Sequence, residues 1–182
     1  MLFGTHVESP LGDIFIVSDE NSIVRLYINQ DKWSQQTLNE EIIYNPNIPP
    51  LISGRKWIDD YFNLKRPDII DLSLAPIGGE FKQTVWNIVA KIPYGETMTY
   101  GDIAKETAKR MGKTVMSAQA IGKAVGSNPI PIIVPCHRVM GANGNLTGYY
   151  YGLDTKIRLL RHEGVDTSLF HAPKKNGISK KR

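Results

Sequence analysis

Apolar residues in the first thirty positions come in short runs separated by turn chemistry. Gly12–Val17 is a brief apolar run, Asp19-Glu20-Asn21 is a turn cluster, and Ile23–Ile28 alternates; together they predict a β-hairpin in a strand-rich segment over residues 1–30. Residues 31–50 are polar and end in Asn47-Ile48-Pro49-Pro50, a loop signal. The period then changes. Leu51, Trp57, Ile58, Tyr61 and Phe62 recur near helical spacing and predict a helix over 51–63, with Trp57 and Tyr61 read as core. Pro76 and Gly78-Gly79 interrupt the pattern.

From Phe81 the stripe Phe81, Val85, Val89 and Ile92, widened by Trp86 and Ile88, predicts a helix that Pro93-Tyr94-Gly95-Glu96 ends. A second helix is expected over 100–110, broken by Gly112. A third opens on Ser117 as N-cap, runs to Val125 and stops at Gly126. A final helix over 153–163 carries the stripe Leu153, Ile157 and Leu160, with Gly164 after it. The expected fold class is α+β. A small N-terminal sheet-plus-helix domain (1–75) and a linker (76–80) precede a mostly helical C-terminal domain (81–167) and a basic flexible tail (168–182). The helices at 100–110 and 117–125 fit an ordinary αα-hairpin, which is commoner, but the basic domain and the small residues of the second point to a DNA-binding helix-turn-helix.

Charge divides the chain at the same place. Of the 182 residues, 1–80 carry 6 Lys+Arg against 12 Asp+Glu, and 81–182 carry 16 against 6. The five basic residues Lys174, Lys175, Lys180, Lys181 and Arg182 account for only part of that excess. A basic second half on an acidic first half points to an anionic partner for one domain, with nucleic acid foremost. No apolar run reaches the roughly 18 residues of a membrane span, and the N-terminus lacks a signal-peptide layout. The expected address is the cytoplasm, at the nucleoid when acting on DNA, and the expected state is a monomer. The single cysteine excludes an internal disulfide and a multi-cysteine zinc site.

That cysteine lies in Asn128-Pro129-Ile130-Pro131-Ile132-Ile133-Val134-Pro135-Cys136-His137-Arg138-Val139. Each proline fixes φ, removes a donor and restricts the residue before it. The segment is therefore expected to be stiff and extended, with the thiol at its tip. A lone Cys is more often an inert buried hydrophobe than a nucleophile. A neighbouring His or cation lowers a thiol's pKa, however, and the thiolate is the reactive form.

The Asn128-Pro129 and Cys136-His137-Arg138-Val139 blocks resemble the active-site signature of the O6-alkylguanine-DNA alkyltransferases, also called methylated-DNA–protein-cysteine methyltransferases. Phe81–Trp86 and Ile92–Thr97 also resemble family blocks. The resemblance implies stoichiometric transfer of an alkyl group from guanine O6 in double-stranded DNA to Cys136 after base flipping, without metal or cofactor. It makes His137 a base acting through water, Glu163 its orienter, Tyr100 a proton donor to guanine N3, and Asn128 a hinge around the active-site turn. The carbonyls of Cys136 and Val139 would accept from the guanine amine, the Tyr150 amide would face O6, and Tyr149 would pack on the base. Tyr151 stands where some members have glycine and should narrow the rim.

The family docks its second helix in the minor groove. Ala118, Ala120, Gly122, Ala124 and Gly126 are small enough to permit this, since a helix is about 10–12 Å across and the groove about 6 Å wide. Gln119 stands where many members have arginine, so weaker DNA binding is expected. Ala120, Gly122, Lys123 and Arg138 complete the expected DNA-facing set. Two rivals remain: a non-catalytic binder of alkylated lesions, which in the related alkyltransferase-like proteins carries tryptophan in place of the cysteine, and a cysteine hydrolase with His137 as base.

Overall fold

The computed structural model describes residues 1–29 and 40–173. Residues 31–39 of the polar segment and the tail lysines therefore lie outside the described residues. Four strands, β1 (Leu2–Ser9), β2 (Gly12–Ser18), β3 (Ile23–Ile28) and β4 (Ile42–Tyr44), form a sheet in the order β3-β2-β1-β4. The expected hairpin is the antiparallel β2–β3 pair, with Ile14 opposite Ile28. β1 pairs antiparallel with β2 and parallel with β4.

Helix α1 (Pro49–Phe62) lies on this sheet. Prolines occupy its first turn, where no intrahelical N–H is required. Gly54 lets it sit close: a Cβ there would come within 2.8 Å of Ile23 Cδ1. Leu51, Trp57, Ile58 and Tyr61 face inward against Ile14, Ile16 and Ile28.

Residues 69–75, just before the expected linker, are tied to the sheet. Ile69–Asp71 is a 3-10 turn, and Leu74 bridges to Ile23 through Ile23 N–H to Ser73 O (2.8 Å) and Ala75 N–H to Ile23 O (2.9 Å). Helix α2 (Glu80–Val89) follows, then β5 (Met98–Thr99), α3 (Tyr100–Arg110) and α4 (Ala118–Gly126). Thr99 caps α3 by accepting from Asp102 N–H at 3.1 Å. Ser117 caps α4, as its hydroxyl chemistry predicted. Gly126 does not stop that helix: it is the last helical residue, and Ser127 is the C-cap. Strand β6 (Val139–Met140) pairs parallel with β5, and α5 (Leu153–His162) closes the domain. Gly164 takes φ +82 just beyond Glu163, as a helix terminator should.

Residues 168–171 of the expected tail are held in place. Thr167–Leu169 is a 3-10 turn, and His171 exchanges backbone bonds with Gly144 and Leu146 (both 2.9 Å), fastening residues 167–171 to the loop after β6. One apolar core runs from Phe3 through α1 and α2 to Leu159, so the two halves share an interior. Among the described residues no helix is long and apolar enough to cross a membrane.

Candidate active site

The proline-rich segment is not extended. Ile130 O accepts from Val134 N–H (2.9 Å), Ile132 has φ +71, and Cys136–Arg138 forms a 3-10 turn. Proline φ suits turns as well as strands, and the reversal is placed on buried Ile132, a β-branched residue that rarely accepts that conformation. Asn128 secures it. Its Oδ1 accepts from Ile130 N–H (3.0 Å) and its Nδ2 donates to Val134 O (2.7 Å). Strand β3 braces the same turn through Leu26 N–H to Pro129 O (2.8 Å). The bend, rather than a rod, presents the thiol.

Cys136 is 9% exposed and lies in the wall of a cavity of about 540 Å³, within the roughly 300–1,000 Å³ typical of ligand sites. Tyr100, Asn128, Thr147, Tyr149, Tyr150 and Tyr151 line it, and Ala118, Gly122, Val125 and Gly126 of α4 form one side. Tyr100 Oη lies 3.3 Å from Thr147 Oγ1, and burial pushes its pKa up, so it keeps its proton. Tyr150 is half exposed at the mouth, and Tyr151 packs edge-on against it at 5.0 Å. The Tyr149 hydroxyl is buried without a hydrogen-bond partner of good geometry among the described residues, and its nearness lowers the thiol's pKa.

Behind the thiol, Glu163 is the hub of a buried network. Its Oε1 accepts from His137 Nε2 (2.6 Å), Tyr61 Oη (2.7 Å) and Arg138 Nη2 (2.9 Å). Its Oε2 accepts from Arg138 Nε (2.8 Å) and Gly95 N–H (3.2 Å). Gly95 has φ +77, and a Cβ there would press on Glu163 O at 3.0 Å. Burial opposes the Glu163 charge, but the His137 and Arg138 hydrogen bonds outweigh it and hold the carboxyl well below its usual range. His137 is fully buried, and burial pulls its pKa down despite the carboxylate, so the resting imidazole is neutral. The carboxylate assigns the proton to Nε2; Nδ1 is then a buried acceptor without a partner among the described residues.

The thiol is not resting as a thiolate. Burial raises its pKa, opposed by Asn128, by the Lys156 ammonium and by Tyr149. Lys156 was not singled out from sequence. It is fully buried, donates to Val139 O (2.6 Å) and Leu146 O (2.7 Å), and its pKa falls to about 8 through burial. A lysine among Leu153, Ile157 and Leu160 on the apolar stripe of α5 is the signal that would have found it.

One expected contact fails. Arg138 is 7% exposed, spent on Glu163 and on Ile92 O (Nη1, 2.6 Å), with Tyr94 beneath it; it cannot face DNA. Val139 is buried, and its carbonyl accepts from Lys156 Nζ at 2.6 Å, which occupies one of its two lone pairs. Gln119 and Lys123 are exposed on α4, while Ala120 and Gly122 are half-buried.

Comparison with known proteins agrees with this layout. The sequence model of the 6-O-methylguanine DNA methyltransferase ribonuclease-like domain matches residues 2–76, and that of the DNA binding domain matches 80–165. A methylated-DNA–protein-cysteine methyltransferase of Methanosarcina acetivorans is 41% identical over 169 residues, covering 86% of this chain and 95% of that protein. The constitutive Bacillus subtilis protein of the same name is 35% identical over 158 residues, covering 87% and 92%. Mycobacterium tuberculosis OGT in complex with DNA superposes with a TM-score of 0.73 at 33% identity, covering 92% of this chain and 94% of that one. With both halves of one family matched in order along its length, the chain belongs to the 6-O-methylguanine DNA methyltransferase family.

Proposed function

We propose that the protein repairs DNA by direct reversal, moving an alkyl group from guanine O6 to Cys136. The observation that carries this reading is the placement of its one thiol in a cavity wall, with a neutral base and an ionised carboxylate behind it. The target base must leave the duplex to reach that sulfur, and flipping is least costly for a damaged pair.

In the proposed step, the thiol proton passes through a water to His137 Nδ1, and Glu163 steadies the imidazolium that forms. The sulfur attacks the saturated alkyl carbon, and the C–O bond breaks with its electron pair going to O6. Tyr100 donates a proton to guanine N3 as the purine leaves; the thiol's proton makes good that loss, so product guanine is neutral. The thioether is inert in water, so each molecule acts once. Keeping the resting thiol protonated limits stray alkylation, because the thiolate is the nucleophile.

The α4 wall supports docking in a minor groove. A Cβ on Gly122 or Gly126 would meet no atom within 4 Å, so packing inside the protein does not demand glycine at either position. Their smallness serves an approaching partner. Exposed Gln119 would enter the gap left by the flipped base, with Ala120 and Lys123 alongside.

Mass measurement after mixing with duplex DNA containing O6-methylguanine tests the proposal. One added methyl mapped to Cys136, absent in Cys136→Ala, is the expected result. Binding without a mass change would mark a lesion reader instead, and turnover of esters or amides a hydrolase.

A further inference from the structure

The side chain of Tyr61 carries the first domain to the Glu163 carboxylate. Tyr61, in the last turn of α1, is 1% exposed, and its hydroxyl donates to Glu163 Oε1 at 2.7 Å. That oxygen is also the one His137 Nε2 bonds at 2.6 Å. The two residues share a single acceptor atom, although they come from different domains.

Packing fixes the phenol. Its ring stacks on Trp57 at 5.5 Å and meets Phe62 and Tyr94 edge-on at 5.0 and 6.0 Å. Its backbone carbonyl accepts from His162 Nε2 at 2.9 Å, tying the end of α1 to the end of α5. Core packing alone would be served by phenylalanine, so the hydroxyl needs a separate reason.

We propose that Tyr61 is a positioning residue of the proton relay: its hydroxyl restrains the Glu163 oxygen that His137 uses, so thiol activation depends on the first domain being docked. The idea rests on the His137–Glu163 relay of the preceding section.

The physical argument concerns charge density on one oxygen. Hydrogen bonds to a carboxylate stabilise its charge and weaken it as a partner for a cation. Tyr61 and Arg138 both draw on Oε1, which keeps the imidazole from being captured as imidazolium before substrate arrives. Burial and the raised pKa of Tyr61 keep its proton in place, so it acts only as a donor. Among the described residues, the other ionisable groups facing this cluster are Arg138 from the 3-10 turn, Tyr94 from the turn after α2, Tyr149 from the loop before α5, Lys156 and His162 from α5, and Cys136 itself; Arg66 lies 5.0 Å over the ring of Tyr94. None replaces the Tyr61 bond.

Tyr61→Phe keeps the ring contacts and removes the bond. His137 then faces a more basic carboxylate and protonates at higher pH. In single-turnover methyl transfer followed from pH 5 to 9, the acid limb of the rate profile should move up by about half to one unit. Rates below the limb then fall about three- to tenfold, while rates above it hold or rise. His137→Gln is run beside it. If it abolishes the limb and Tyr61→Phe moves it upward, the proposal stands. A limb abolished by His137→Gln but unmoved by Tyr61→Phe overturns the role of Tyr61 and leaves the relay intact. A limb that survives His137→Gln removes the relay, and this inference with it. An equal loss of rate at every pH, with a lowered Tm, would reduce Tyr61 to a packing residue and also overturn the idea.

Discussion

Replacing Glu163 by glutamine tests the buried network most directly. The shape of the side chain is kept, and only its charge and acceptor balance change. Glu163 is 4% exposed, and Arg138, bonded to both of its oxygens, is 7% exposed. In Glu163→Gln the guanidinium stays buried without a counter-charge. Breaking a buried pair this way costs about 3–5 kcal/mol, a large share of the roughly 5–15 kcal/mol that keeps a domain folded. With a urea slope of about 2 kcal/mol per molar, the unfolding midpoint should drop by about 2 M. The pH dependence has a definite sign. The native carboxyl titrates below its unfolded value, so the wild type holds this stability above about pH 4.5 and loses it as acid protonates the folded group. The gap between wild type and variant therefore narrows below about pH 4.5 and is widest near neutrality. Transfer should also slow by at least about tenfold where both proteins are folded, because the base has lost its orienter. Paired urea titrations at pH 7 and pH 4 decide the matter. A cost under about 1 kcal/mol at pH 7 would show that Arg138 does not depend on this carboxylate, and the reasoning would fail.

Lys156→Met should raise the pH midpoint of Cys136 alkylation by iodoacetamide, since the ammonium favours the thiolate; an unmoved midpoint counts against that coupling. The same variant should lose the wild type's gain in stability as pH climbs from about 8 toward 10.5, a window in which the unfolded lysine binds a proton that the folded one has released. Gln119→Arg should bind duplex DNA more tightly at matched salt and steepen the dependence of log K on log salt by about 0.9, one phosphate contact's worth; equal affinity would show that Gln119 does not face the DNA. Tyr151→Gly should open the cavity mouth and speed consumption by free O6-benzylguanine about tenfold or more; a wild type already consumed rapidly by that compound would mean the rim is not narrow.

Much of the local structure could be read from residue chemistry because it depends on near neighbours. The β2–β3 hairpin followed from alternation and a turn cluster, and α2 from its apolar stripe. Ser117 could be named as a cap because a hydroxyl before an apolar run has few other uses. The proline segment was misread because proline φ is shared by extended chain and by turns. Asn128 selects between them through bonds to Ile130 and Val134, and such bonds leave no period in the sequence.

The sequence alone set the candidates: the one thiol, the histidine beside it and the small-residue helix are legible from residue type and order, and the roles came from the family resemblance of the blocks around Cys136. Tertiary structure alone decided how they are used. It sent Arg138 inward to Glu163 rather than outward to DNA, buried Lys156 beneath the loop after β6, and brought Tyr61 from the first domain onto the second domain's carboxylate. The reason is that charge state and hydrogen-bond partners depend on burial and on contacts between residues far apart in the chain. Tyr61 and Glu163 are 102 positions apart, and no local pattern can encode a bond over that distance.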